Sequence, residues 1–204
     1  MNFSTWPAPL FVVDVEGNGA TPPDLVEVAL IPVTGGRPEP EAARSWLIRP
    51  PVAIPHLITR IHGITNAMVA DAPVWADVAA EVAGLLDGAW IAAHSASVEY
   101  NVLSRHLPDW KPAGVIDTLR LAKATFPGHK GFGLDALINH TGISLDGVAG
   151  TRHRAGYDAH ATALLLHHLA SHYDSWDAMA AKAVPPGMPG LPELDPQPEE
   201  QTLW

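Results

Sequence analysis

The chain has 204 residues, 47% of them hydrophobic and 17% charged, which is material for one large packed domain or a domain plus a tail. Its net charge of −10 argues against broad, non-specific binding of duplex DNA, which depends on neutralising phosphates with Lys and Arg. The chain has no cysteine, which excludes disulfides and thiolate metal sites. It also has no apolar run long enough for a membrane span and no basic-then-apolar leader at Met1–Pro7, so a cytoplasmic protein is expected.

Leu10 to Val15 reads as a buried strand from its apolar run, and Val26 to Val33 and Ala43 to Ile48 as the next two. Gly35-Gly36 is a hairpin signal between them, so an antiparallel meander should open the domain. Pro50, Pro51 and Pro55 then break regular pairing. From Pro73 to Leu86 the period becomes helical, with Val74, Val78, Val82 and Leu85/Leu86 on one face. Trp90 to Ala93 is a short strand, Val98 to Leu107 a helix, Gly114 to Ile116 a last strand and Asp117 to Ala124 a helix. A short helix from Leu134 to Asn139 closes at Gly142, and Ala155 to His172 is the longest helix. Strands first, then strands alternating with helices, predict an α/β fold with a mixed five-stranded sheet flanked by helices. The domain is expected to span 1–175. A short helix and a Pro-rich tail, too poor in apolar residues to form a core, should occupy 176–204.

The residues that carry chemistry sit where these elements end. Asp14 and Glu16 close the first strand, one residue apart, so both side chains point to the same side. Two acids that close repel, and a divalent cation is the usual remedy. Glu99 lies near a helix start, His153 precedes the long helix, and Asp158 falls near its first turn. Four carboxylates at one edge of a sheet suit hard cations such as Mg²⁺ or Mn²⁺. Two such ions clamp the attacking and leaving oxygens of a phosphoryl displacement, and a histidine takes the proton of the attacking water. Metal-dependent phosphodiester hydrolysis is the chemistry that follows. His94 reads as a structural strand-end residue, and His62 as a hydrogen-bonding residue rather than a base. Five of the 12 basic residues fall between 120 and 154 (Arg120, Lys123, Lys130, Arg152 and Arg154), either as one less acidic edge or as ordinary solvated surface.

Several stretches resemble a known family. These are Phe11-Val12-Val13-Asp14-Val15-Glu16, Ile61-His62-Gly63-Ile64-Thr65, Asp117-Thr118-Leu119-Arg120-Leu121-Ala122 and His153-Arg154-Ala155-Gly156-Tyr157-Asp158-Ala159-His160-Ala161-Thr162. Together they are similar to the DEDD-type 3′→5′ exonucleases, histidine subclass (DEDDh, DnaQ-like), on the ribonuclease H-like fold. Within that family, His62 to Asp71 is most like the exonuclease X group. The resemblance implies that Asp14, Glu16, Glu99 and Asp158 hold two Mg²⁺ or Mn²⁺ ions and that His153 is the general base. It also implies substrate contacts from the loop after the first motif, Gly17 and Asn18, and from His62 and Ser95.

The second motif departs from the family pattern H-N-A-x-F-D. Here it reads His94-Ser95-Ala96-Ser97-Val98-Glu99. Glu in place of Asp keeps the charge and adds one methylene, a reach of about 1.5 Å. Displacements of about 1 Å cost on the order of 10²-fold in rate. The resemblance implies hydrolysis of single-stranded DNA or RNA from the 3′ end, with release of nucleoside 5′-monophosphates. Two alternatives stay open: a non-catalytic nucleic-acid-binding or partner-docking domain on the same fold, and a hydrolase of very short oligonucleotides. Dimers occur among relatives, so a homodimer is a further expectation. The terminal Gln201-Thr202-Leu203-Trp204 is vaguely similar to peptides that dock into sliding clamps.

Overall fold

A computed structural model of the chain describes residues 2–191. Among these residues the sheet has six strands: β1 (Leu10–Gly17), β2 (Leu25–Thr34), β3 (Arg37–Pro38), β4 (Arg44–Leu47), β5 (Trp90–Ala93) and β6 (Gly114–Asp117). The order is β3-β2-β1-β5-β6, with β4 on the same edge of β2 as β3. β1 runs antiparallel to β2 and parallel to β5, and β5 is parallel to β6. Five strands were expected. The sixth arises because Gly35 and Gly36, both at positive φ, form a two-residue turn that pairs Thr34 with Arg37. Pro38 and Pro40 lack the N–H that a continuous return strand needs. The return therefore breaks after two residues and resumes as β4 opposite Glu27 to Leu30.

The helices are α1 (His56–His62), α2 (Trp75–Leu86), α3 (Ser97–His106), α4 (Thr118–Thr125), α5 (Leu134–Thr141), α6 (Ala155–Ala170) and α7 (Trp176–Ala183). Most match the predicted spans to within two residues. Where α1 lies, the prolines predict only a break. Pro55 stands at its N-cap, so the proline ends the preceding loop and opens a helix that stops at left-handed Gly63. No helix among the described residues is long and apolar enough to cross a membrane.

The strands alternate their side chains between two cores. Leu10, Val12, Ala29, Ile31, Ala92 and Ile116 face α4 to α7, while Val13, Val28, Leu30, Ile91 and Val115 face α2 and α3. Full burial of a side chain such as Leu165 or Leu103 is worth roughly 1.5–3 kcal/mol. α7 belongs to the first core through Trp176, Met179 and Ala183, and Trp176 packs edge-on against Trp6 and Trp90. The chain then crosses the β6 edge. The Val115 N–H donates to the Pro189 carbonyl, and Met188 packs on the second core. The first part of the Pro-rich segment thus covers a sheet edge, although its composition predicts a tail outside any core. Gln201–Trp204 and the clamp-docking expectation lie outside the described residues.

Candidate active site

β1 presents Leu10, Val12, Asp14 and Glu16 to the face covered by α6. The first two are apolar and buried. The last two pass beyond the hydrophobic layer at the carboxyl end of the sheet. α6 brings Asp158 to the same place. Its sheet-facing surface is built from Ala155, Ala159, Ala163 and Leu166, and the small residues let the helix lie close over β1 and β2. Ligand oxygens of Asp14, Glu16 and Asp158 all lie within 4.8 Å of one another, a group able to hold a metal ion.

The electrostatics of this group are unfavourable as it stands. Burial, followed by repulsion from Glu99, Glu16 and Asp158, holds the Asp14 carboxyl well above the usual range. Burial and the charge of Asp158 push Glu16 up to about 7, with Arg154 pulling the other way. Burial also raises Asp158, against the opposing pull of Arg152 and of the His153 N–H. Two buried oxygens, Asp158 Oδ1 and Glu99 Oε2, have no hydrogen-bond partner among the described residues. Unpaired buried acids of this kind are costly unless a cation completes them.

Glu99 stands in the first turn of α3 and is only 5% exposed. It is not one of the three converging acids, yet its charge is the second-largest influence on Asp14. Burial pushes its own carboxyl up to about 8, with Asp117 and Glu16 adding to the rise. His153 sits just before α6 with φ at 60°, and its backbone N–H donates to Asp158 Oδ2 at 3.0 Å. Ser95 has φ at 73° and donates its N–H to Asp117 Oδ1 at 3.2 Å. Among the described residues these are the two non-glycine residues with positive φ. Both lie in motifs, where a strained backbone is held by its surroundings.

The remaining expected residues divide. Gly17 and His62 line a cavity of about 240 Å³ together with Glu16, Ile58, Ile61 and Val98. His62 accepts the Ile64 N–H at Nδ1, and its buried Nε2 makes no well-formed hydrogen bond. Burial lowers its pKa, partly offset by the Gly17 backbone. Asn18 is turned inward, 1% exposed. Its Oδ1 accepts from Ala20 and Asp24, and its Nδ2 donates to Asp24 Oδ2. The structure therefore gives Asn18 the task of closing the loop after β1. His94 is structural: its ring bridges Thr118 Oγ1 and the Phe132 carbonyl, each at 2.9 Å.

Sequence reasoning missed Glu27 and Arg154. Glu27 lies directly opposite Glu16 across β1 and β2, and is 3% exposed. Arg154 donates to both of its oxygens, at 3.0 and 2.6 Å, and the Ala155 N–H donates to Oε2 at 2.9 Å. Glu27 thus fixes the entrance of α6 with a fork-like pair and a helix-end contact. The signal was an acid in the middle of an otherwise apolar strand.

A family model for an exonuclease domain matches residues 11–166. The chain is 34% identical over 158 residues to exodeoxyribonuclease 10 of Escherichia coli, covering 77% of this chain and 66% of that protein. It is likewise 34% identical over 158 residues to a DNA polymerase III subunit epsilon-like protein of Rhodobacter capsulatus, covering 74% of this chain and 22% of that protein. It is 31% identical over 165 residues to the 3′-5′ exonuclease DinG of Bacillus subtilis, covering 76% of this chain and 17% of the relative. The chain therefore spans about a fifth of the length of these last two curated relatives. Among solved structures, exonuclease X in complex with 5′-overhanging duplex DNA superposes with a TM-score of 0.71 at 32% identity, covering 84% of this chain and 98% of that one. The nuclease domain of 3′hExo bound to rAMP shares the fold at a TM-score of 0.66 and 14% identity, covering 82% and 94%. This chain belongs to the exonuclease family, in its DEDDh, DnaQ-like branch.

Proposed function

We propose that the chain is a metal-dependent 3′→5′ exonuclease acting on the 3′ end of single-stranded nucleic acid. The observation that carries this reading is the convergence of Asp14, Glu16 and Asp158 within 4.8 Å at the start of α6, beside His153. Acids whose burial raises their pKa, with two oxygens unpartnered, fit a hard divalent cation. Asp14, Glu16, Glu99 and Asp158 would hold two Mg²⁺ or Mn²⁺ ions, which supply charge stabilisation at the phosphoryl group.

The chain's own residues do the rest. His153 accepts a proton from the attacking water. The hydroxide oxygen bonds to the terminal phosphorus as the bond to the 3′ oxygen of the preceding nucleotide breaks. A nucleoside 5′-monophosphate departs, the 3′ oxygen of the shortened strand takes a proton from solvent water to become a 3′-hydroxyl, and His153 returns its proton to solvent. The cavity lined by Gly17, His62 and Val98 receives the terminal nucleotide, and His62 Nε2 supplies a polar contact there. Asn18 and Ser95 act on the substrate indirectly, through the shape of the loops that they hold.

A 5′-labelled oligonucleotide incubated with Mn²⁺ or Mg²⁺ tests the reading. Wild type should shorten it from the 3′ end and release mononucleotides. Failure to do so, with metal and nucleic acid still bound, would favour the non-catalytic alternative, which the departure at Glu99 motivates.

A further inference from the structure

The five basic residues concentrated between 120 and 154 separate once their partners are known. Arg154 is committed to Glu27, and Arg152 is paired with Asp135. Arg120 and Lys123, three positions apart on α4, share a helix face and have no side-chain hydrogen bond or ion pair among the described residues. Lys182 of α7 joins them with no such partner either, and all three are exposed. They line one recess of about 550 Å³. The single acid in its wall among the described residues is Asp117, which is buried and whose Oδ1 already accepts the N–H groups of Ser95, Leu119 and Arg120.

Three uncompensated cations around one recess are unusual on a chain of net charge −10. Their place in the fold matters as much as their sign. Asp117 ends β6 beside the end of β5, at the same carboxyl end of the sheet as the acid cluster. It ties the recess to the second-motif loop through Ser95, and its charge is felt at Glu99.

We propose that Arg120, Lys123 and Lys182 form a phosphate-binding recess for the backbone of the substrate strand upstream of its 3′ end. The proposal rests on the exonuclease reading. In it, the acidic site handles the terminal linkage through cations, while the recess holds phosphates further along the strand directly. Each phosphate neutralised in this way releases condensed counterions, so binding should weaken with salt.

The test compares wild type with the triple variant R120A/K123A/K182A, and with R37A/R44A/K111A, which removes three exposed cations elsewhere. Binding of a fluorescent single-stranded 20-mer is read by anisotropy without divalent ions, across a salt series. Because this measurement does not depend on turnover, it stands even if the exonuclease reading fails. Hydrolysis of a dinucleotide with Mn²⁺ is measured beside it. The recess variant should bind the 20-mer at least about tenfold more weakly at low salt, with a salt slope smaller by about 2. Its dinucleotide turnover should stay within about twofold of wild type, and the control variant should bind normally. Unchanged affinity and slope in the recess variant would overturn the proposal. So would an equal loss in the control variant, or loss of dinucleotide turnover alongside affinity.

Discussion

Glu16 and Glu27 face each other across β1 and β2, one strand apart, yet the fold treats them in opposite ways. Glu27 receives three hydrogen bonds, two from Arg154 and one from the start of α6. Among the described residues Glu16 makes no ion pair, although it feels the charge of Arg154, and it joins Asp14 and Asp158 in a cluster that repels itself. One acid is completed by the protein and serves structure. The others are left incomplete, which is the electrostatic signature of a functional site. Like charges directly opposite on a sheet destabilise it, and Arg154 relieves that conflict by bonding to Glu27 while its charge is also felt at Glu16.

Truncation should separate the two regions sharply. Asp158→Ala or Asp14→Ala should cut mononucleotide release by about 10³-fold or more, in an assay with labelled oligonucleotide and Mn²⁺. The metal-free Asp14→Ala protein should be no less stable for it, because a repelling charge has gone, whereas Asp158→Ala also loses the acceptor of the His153 N–H. His153→Ala should lower turnover by about 10²–10⁴-fold while leaving metal affinity near wild type. Loss of metal binding in that variant would show that His153 acts as a ligand or a scaffold.

Glu27→Ala should behave in the reverse manner. Removing one partner of a buried pair costs about 3 kcal/mol. For a domain of this size the melting temperature should drop by roughly 6–12 °C. A drop of less than about 2 °C would erase the contrast between the two acids.

The pH dependence of stability sharpens the comparison. In the folded, metal-free protein Glu99 titrates near 8 and Glu16 near 7, both raised mainly by burial, against 4.5 for the unfolded chain. Each contributes stability that is fully present below pH 4.5 and is lost as pH rises through its folded pKa. Thermal melts between pH 6 and 8.5 should therefore show the metal-free protein losing about 5 °C or more. Saturating Mn²⁺ should restore it, because ligand binding to the folded state adds stability. Melting points flat across this range would mean that the acids are not under strain.

The smallest expected effect is at Glu99. Glu99→Asp should change kcat by no more than about tenfold, since Glu99 already lies close enough to influence Asp14. A gain near 10²-fold would show that the longer acid holds the site back.

Much of this was legible in the sequence, for identifiable reasons. The apolar run before Asp14 and the alternation of strands with helices marked the sheet. The helical spacing of Ala161, Leu164, Leu165 and Leu169 marked α6. What escaped depended on long-range partners. Arg154 and Glu27 are 127 positions apart, and no local pattern joins them. Asn18 is expected at the substrate from its place beside the first motif, and its bonds to Asp24, six positions on, show that it also closes the loop. α1 escaped because seven residues between prolines and Gly63 are too few to display a helical period. The basic concentration between 120 and 154 was visible, but only the pairs with Asp135 and Glu27 show which cations remain available.

The central claim is that the unpaired acids are completed by divalent cations. Calorimetric titration of Mn²⁺ at pH 7, repeated in buffers of different ionisation enthalpy, tests it most directly. Carboxyls held partly protonated must lose protons when metal binds. Wild type should bind Mn²⁺ and release between about one and two protons per chain, and D14A/D158A should do neither. Absence of Mn²⁺ binding in wild type, or equal binding in D14A/D158A, would contradict the account.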